Sequence, residues 1–279
     1  VRTVKAEEFT PVIKKLCMEA NYFLGEDLLE TIKKSIVMEE SPAGKEVLSQ
    51  ILANAKIAKE EQVAACQDTG FTVVFLDIGE KVYIEGNIAS AVDEGVRQGY
   101  KEGYLRKSIL DDPLRRKNTG DNTPAVIHLR QVPGDKVHIT VAPKGGGSEN
   151  MSTVKMLSPS AGEDGVVKAV VEQVSQAGAN PCPPIIVGVG LGGTFELAAL
   201  NAKRALLRPL GTFSADEDTA RLEKRLLTEI NKLGIGPQGF GGRITCLGVF
   251  VERYPCHIAS LPLGININCH SSRHKEAEL

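Results

Sequence analysis

Tryptophan is absent from the 279-residue sequence, and aromatic residues of all kinds make up only 5% of it. That scarcity argues against a surface built to stack bases or sugar rings. Neither sign of charge dominates: 33 Lys and Arg stand against 35 Asp and Glu, for a formal net charge of −2. A polyanion-binding surface and a disordered acidic tail are both disfavoured, so nucleic acid is not an expected partner. Long apolar runs are missing too. The longest nearly apolar stretch, Pro183 to Leu191, is far short of the roughly 20 residues that cross a bilayer. The opening segment Val1 to Glu8 mixes charges of both signs and lacks the apolar block of a secretion signal. A cytoplasmic protein with no membrane partner is expected. Cysteine is sparse: six residues in a chain of this length do not make a disulfide scaffold, and in a reducing compartment they are thiols or metal ligands.

Apolar residues make up 42% of the chain, enough for one large or two modest cores. From Lys5 to Gln62 they recur at helical spacing (Val12, Ile13, Leu16, Phe23; then Leu28, Leu29, Ile32, Ile36), which predicts three helices. Ser41-Pro42 reads as a cap followed by proline in the first turn of the third, which runs through Lys59. After Gly70, β-branched runs alternate with helices. Strands are expected over 72–78, 81–84, 125–130, 136–142, 184–189, 244–252 and 258–266, and helices over 88–103, 163–176, 195–207 and 216–233. Gln131-Val132-Pro133-Gly134-Asp135 reads as a hairpin turn joining 125–130 to 136–142. The expected fold is α/β: a helical N-terminal layer over about residues 1–64 packed on a mixed α/β body over 65–279, forming a single domain across 1–279.

Three loops carry the unusual residues: Ala65-Cys66-Gln67-Asp68-Thr69-Gly70, Gly178-Ala179-Asn180-Pro181-Cys182-Pro183-Pro184, and Asn266-Ile267-Asn268-Cys269-His270-Ser271-Ser272. Each puts one cysteine at an element boundary, where the side chain need not enter a core. The wide spacing excludes the paired C-x₂-C ligands of a zinc ribbon and the clustered run of a ferredoxin. Three thiolates fit a cubane iron–sulfur cluster with one iron left open, and an open iron is a Lewis acid suited to a hydroxyl and a carboxylate. That is hydro-lyase chemistry. The bland alternative is a set of inert, buried thiols, which is also the reading for Cys17, Cys246 and Cys256.

Asp68 and Gln67 follow Cys66 directly, so Asp68 could serve proton transfer; an Asx turn or helix cap is its structural alternative. In Lys144-Gly145-Gly146-Gly147-Ser148, successive glycines let backbone N–H groups approach a carboxylate or phosphate, unless the loop is merely flexible. Arg106, just ahead of Asp112-Pro113-Leu114, has the fork geometry for one carboxylate of a dicarboxylate, though a solvated arginine is the default. His257 sits at the start of the expected strand over 258–266, where a satisfied core histidine is the alternative. Gly188-Val189-Gly190-Leu191-Gly192-Gly193 formally matches G-x-G-x-x-G. The chain then lacks the second strand ending in an acid about 20 residues on, so close helix–strand packing is the better use of these glycines.

As a set and in this order, Cys66-Gln67-Asp68-Thr69-Gly70, Lys144-Gly145-Gly146-Gly147-Ser148, Asn180-Pro181-Cys182-Pro183-Pro184 and the block from His257 to Cys269 resemble the N-terminal domain of class I fumarases. The resemblance extends equally to the α subunits of two-subunit fumarases and L-tartrate dehydratases, and it spans essentially the whole chain. It implies a [4Fe–4S] cluster on Cys66, Cys182 and Cys269. It implies substrate contacts from Gln67, Arg106, Gly146 and Gly147, and catalytic roles for Asp68 and His257. Single-chain members continue into a C-terminal domain with further cationic groups and a catalytic threonine, so a β subunit supplying these, in a hetero-oligomer, is the partner the resemblance implies. The expected activity is interconversion of fumarate and (S)-malate. L-tartrate dehydratase or mesaconate hydratase stands as an alternative on the same scaffold, and a non-catalytic iron–sulfur or zinc-binding interaction protein as an alternative of another class.

Overall fold

The apolar spacing of the N-terminal region does produce helices. The computed structural model describes residues 1–279 and opens with a short strand, β1 (Arg2–Lys5), followed by α1 (Phe9–Tyr22), α2 (Glu26–Met38) and α3 (Pro42–Glu61). Phe9, Ile13, Leu16 and Cys17 form the buried face of α1, at the spacing of one helix stripe. Ser41 Oγ accepts the Gly44 N–H at 3.2 Å, as a residue just before a helix does, and Pro42 takes the first position, where its missing N–H costs nothing. The remaining elements are β2 (Phe71–Gly79), β3 (Val82–Glu85), α4 (Ile88–Glu102), β4 (Val126–Val132), β5 (Val137–Lys144), the short α5 (Gly146–Glu149), β6 (Thr153–Leu157), α6 (Gly162–Ala177), β7 (Ile185–Gly192), α7 (Phe195–Ala205), α8 (Glu217–Asn231), β8 (Cys246–Tyr254), β9 (Leu261–Asn268) and β10 (Lys275–Glu278). The fold is mixed α/β, with long N-terminal helices followed by mixed sheets.

The chain divides into two compact units, one of Val1–Gly25, Asn54–Gly146 and Arg273–Leu279, the other of Glu26–Ala53 and Gly147–Ser272. Helix α1 belongs to the first unit and α2 to the second. In the first unit a four-stranded sheet runs β10-β5-β2-β4. Helices α1 and α4 pack on each other, and α1 also covers β5 and β10. The core there gathers Phe9, Ile13, Val74, Leu76, Val96 and Ile139.

The expected hairpin between residues 125–130 and 136–142 does not form. β4 pairs with β2 in parallel, Val74 opposite Ile127, while β5 pairs with β2 antiparallel, Val74 opposite Val141. β2 therefore lies between them. Its residues Val73 to Leu76 are apolar on both faces and buried, which suits the centre of a sheet better than the half-exposed β4. The segment read as a turn instead crosses the end of β2, with Gly79 N donating to Lys136 O at 2.8 Å and Lys81 N to Gly134 O at 2.9 Å.

In the second unit the sheet order is β6-β9-β7-β8, with β7 parallel to β8 and antiparallel to β9. Helix α7 lies against β7 and β9. Gly188 and Gly190 make that approach possible, because a Cβ on either would stand 2.0 Å from a carbonyl oxygen of α7, Ala202 O and Ala198 O respectively. The G-x-G-x-x-G pattern is thus spent on helix–strand packing. The last long strand begins at Leu261, three residues later than expected, and His257 falls in the connection from β8 to β9 rather than at a strand start.

Candidate active site

Chain geometry brings the Cys66 loop and the glycine loop together. Both carboxylate oxygens of Asp68 accept backbone N–H groups: Oδ1 from Gly70 at 3.1 Å and Oδ2 from Gly146 at 2.8 Å. The first contact is the Asx turn that the sequence alternative anticipated; the second reaches across to the glycine loop. Gly70 is at φ +82°, and a Cβ there would stand 2.7 Å from Lys144 N, so no larger residue fits between the two loops. The Gly146 N–H is engaged with Asp68, and this glycine acts on the carboxylate. The thiol of half-buried Cys66 points to Gln67 Oε1 at 3.6 Å.

Arg106 is tied to the same loop through its backbone. Thr69 Oγ1 donates to Arg106 O at 2.9 Å, while the buried Asn122 accepts Ser108 N at 2.7 Å and donates to Gly70 O at 3.2 Å. The Arg106 side chain itself is exposed. Tyr100 closes the arrangement from the core side, its hydroxyl donating to Thr69 O at 2.7 Å. Burial pushes that phenol up out of the ordinary tyrosine range, so it remains a donor.

In the second unit, sheet topology juxtaposes two cysteine loops. β9 runs antiparallel to β7 with Asn268 opposite Ile186, so Cys269, just past β9, lies beside the segment leading into β7. His270 N donates to Cys182 O at 3.4 Å, and His270 Nδ1 lies 3.0 Å from the same oxygen. Cys182 is exposed and holds φ +54°, a left-handed conformation uncommon outside glycine. Gly147, at the start of this unit, has its nearest approach to Asn180 of the same loop, whose carbonyl would lie 3.7 Å from an added Cβ.

His257 is not brought to those cysteines. It precedes β9, whereas Cys269 follows it, and a strand of eight residues spans on the order of 25 Å. The ring is exposed, and its Nδ1 accepts the Ala259 N–H at 3.1 Å. His257 and the exposed Cys256 instead line a groove of about 420 Å³ with Met156, Phe195, Tyr254 and Ser260. Cys17 and Cys246 are fully buried, and burial pushes both thiols up to about 12.

Residues 10–278 match the family described as fumarate hydratase (Fumerase). The chain belongs to that family. Its relatives include a Methanocaldococcus jannaschii protein provisionally named L(+)-tartrate dehydratase subunit alpha, 43% identical over 95% of both chains. L(+)-tartrate dehydratase subunits alpha of Escherichia coli and Shigella sonnei are 32% and 31% identical, over 95% of this chain and 89% of theirs. As a fumarate hydratase family member the chain is a hydro-lyase by descent. No helix is long and apolar enough to cross a membrane.

Thiols on loops are the donor chemistry an iron–sulfur cluster takes, although no group of three metal-ligating side chains is gathered at one point in the structure. Of the six free cysteines, Cys17 and Cys246 are buried in cores; Cys66, Cys182 and Cys269, the three that the resemblance names, each lie on a loop and none is fully buried, and Cys256 is exposed on the β8–β9 connection. Sequence reasoning missed several residues that shape these loops. Arg273, buried, donates from Nη2 to Asp68 O at 2.5 Å. Asn122 joins the Arg106 and Cys66 loops, and Gln238 holds Pro183 O. The cluster of turn formers Asn118-Thr119-Gly120-Asp121-Asn122-Thr123-Pro124 was the available signal for Asn122; nothing local marks Arg273 or Gln238.

Proposed function

We propose that this chain is the α subunit of an iron–sulfur hydro-lyase acting on a 2-hydroxy dicarboxylate, with L(+)-tartrate as the preferred substrate. The observation that carries the hydro-lyase reading is Asp68, a carboxylate fixed through both oxygens in the loop that also bears Cys66. The substrate choice rests on the names of the relatives, which match along nearly the whole of both chains. Those names also support a β subunit as partner.

Cys66, Cys182 and Cys269 would hold a [4Fe–4S] cluster, which when bound supplies an iron without a protein ligand as a Lewis acid for a substrate hydroxyl. Arg106 would take one carboxylate of the substrate through two parallel N–H donors. Gln67 offers both an amide donor and an acceptor beside Cys66. Asp68 would accept or return a proton at a carboxylate oxygen, with the Gly70 and Gly146 N–H groups fixing its orientation. Dehydration removes hydroxide from one carbon and a proton from its neighbour; with tartrate the enol so formed ketonises to a 2-oxo dicarboxylate. His257 would enter the chemistry from the opposite end of β9 to Cys269.

The family description favours a second reading, in which the substrate pair is (S)-malate and fumarate. The test is anaerobic reconstitution of the chain with its partner, followed by kcat/KM for L-tartrate, (S)-malate and fumarate on one preparation. Preference for tartrate supports the first reading, preference for malate and fumarate the second. Turnover of none of them by protein with a full complement of iron would overturn both.

A further inference from the structure

Two residues outside the proposed ligand set grip the backbone at Cys182 and the next residue, Pro183. His270 N and His270 Nδ1 both reach Cys182 O, at 3.4 and 3.0 Å. One residue on, Gln238 N donates to Pro183 O at 2.7 Å, and Gln238 Nε2 lies 3.0 Å from Pro183 O and 3.0 Å from His270 Nδ1. Successive carbonyls are therefore held by two neighbouring residues: Cys182 O by the His270 N–H and, in the tautomer protonated there, by Nδ1, and Pro183 O by the backbone and side-chain amides of Gln238. Cys182 itself sits at φ +54°, and so does Gln238, at φ +52°. A non-glycine residue persists in that region only where its surroundings over-determine it. At Cys182 the consequence is an exposed thiol, next in space to the backbone of the Cys269 loop.

We infer that His270 and Gln238 are positioning residues: they lock Cys182 in its left-handed conformation and hold it in register with Cys269, so that this thiol pair is preformed before any metal arrives. The inference rests on the assignment of Cys182 and Cys269 as ligands. Its physical logic is preorganisation, since a pair already oriented loses less chain entropy on ligation. Partners of metal ligands typically carry about 10- to 100-fold in metal affinity.

The experiment compares native protein with His270→Ala, His270→Asn and Gln238→Ala in two ways. In the metal-free chain, a trivalent arsenical, which binds tightly only to thiol pairs within reach of one arsenic, is titrated and the modified cysteines are identified by mass spectrometry. In the reconstituted holoprotein, iron loss to a chelator is followed. Native protein should capture the arsenical at Cys182 and Cys269, and Cys66→Ser should capture it equally. His270→Ala and Gln238→Ala should weaken capture about tenfold or more while lowering Tm by no more than about 4 °C. His270→Asn, whose amide reaches the position of Nδ1, should restore it. Chelator-driven iron loss should follow the same order. Native-like capture by His270→Ala, or no capture by the native pair, would overturn the inference. A native chain that captures arsenic but never assembles a cluster would instead refute the proposed cofactor and leave the clamp standing.

Discussion

Asp68 Oδ2 and Gly146 N lie 2.8 Å apart, joining the loop after α3 to the loop after β5. Since Oδ1 takes the Gly70 N–H, an amide at this position would turn an NH₂ group against one of the two donors. Because the amide also cannot ionise, Asp68→Asn should lower kcat by about 10²-fold or more, the range of a lost acid–base group, while the contact that its remaining oxygen keeps should leave the iron content and visible absorbance of the cluster native. Near-native turnover would reduce Asp68 to a turn former. Loss of the cluster together with activity would mean that it organises the Cys66 loop and does not transfer protons.

Thiol chemistry separates the six cysteines in one measurement. Burial holds Cys17 and Cys246 near 12, so at pH 8 only about one in 10⁴ of each is thiolate. In metal-free native protein, iodoacetamide should label Cys66, Cys182, Cys256 and Cys269 and spare those two. In cluster-loaded protein only Cys256 should react. Labelling of Cys66, Cys182 or Cys269 at undiminished rate in protein with full iron would remove that residue from the ligand set.

Much of the fold was legible because its signals are local. Apolar residues at helical spacing located α1, α2 and α4, and the Ser41-Pro42 pair marked the start of α3. Strand pairing was not legible. The Pro133-Gly134 signal suggested a hairpin, yet the partner of both flanking strands is β2, more than forty residues earlier, and turn chemistry carries no information about it. β10, Lys275 to Glu278, escaped because a four-residue, highly charged edge strand reads as a tail. At the candidate site, cysteine and aspartate stand out by residue type on loops. His257 did as well, but only sheet topology reveals that β9 separates it from Cys269. Arg273, Gln238 and His270 act through backbone carbonyls distant in sequence, and such contacts leave no pattern to read.

Glu39 provides a pH dependence. Burial would raise its carboxyl, but the backbone N–H groups of Arg243, Ser41, Ile244 and Glu40 outweigh that and hold it below the ordinary glutamate range. A depressed native value means that the ionised carboxylate stabilises the fold fully above about pH 4.5 and ceases to do so as acid protonates it. Glu39→Gln should thus unfold at lower denaturant concentration than native protein at pH 7, with the gap narrowing as pH falls below about 4.5. A gap that stays constant across that range would assign the loss to shape and not to charge.

Arg106 separates binding from folding. Its backbone is pinned by Thr69 Oγ1, but its guanidinium is exposed and carries no part of the core, so Arg106→Lys should leave Tm within about 2 °C of native. Lysine keeps the charge and loses the planar fork that meets a carboxylate with two parallel bonds. A charge-assisted hydrogen bond contributes about 1.5–3 kcal/mol, which corresponds to about 10- to 100-fold in affinity. KM for the dicarboxylate should rise by that factor, with kcat changed less, if the contact is made equally in the ground and transition states. Thr69→Val supplies the control: it removes the hydroxyl that fixes Arg106 O while leaving the arginine in place, and should raise KM in the same direction by a smaller factor. An unchanged KM in Arg106→Lys would place the substrate carboxylates elsewhere, with Lys144 and Arg273, the other cations flanking the Asp68 loop, as the next residues to substitute.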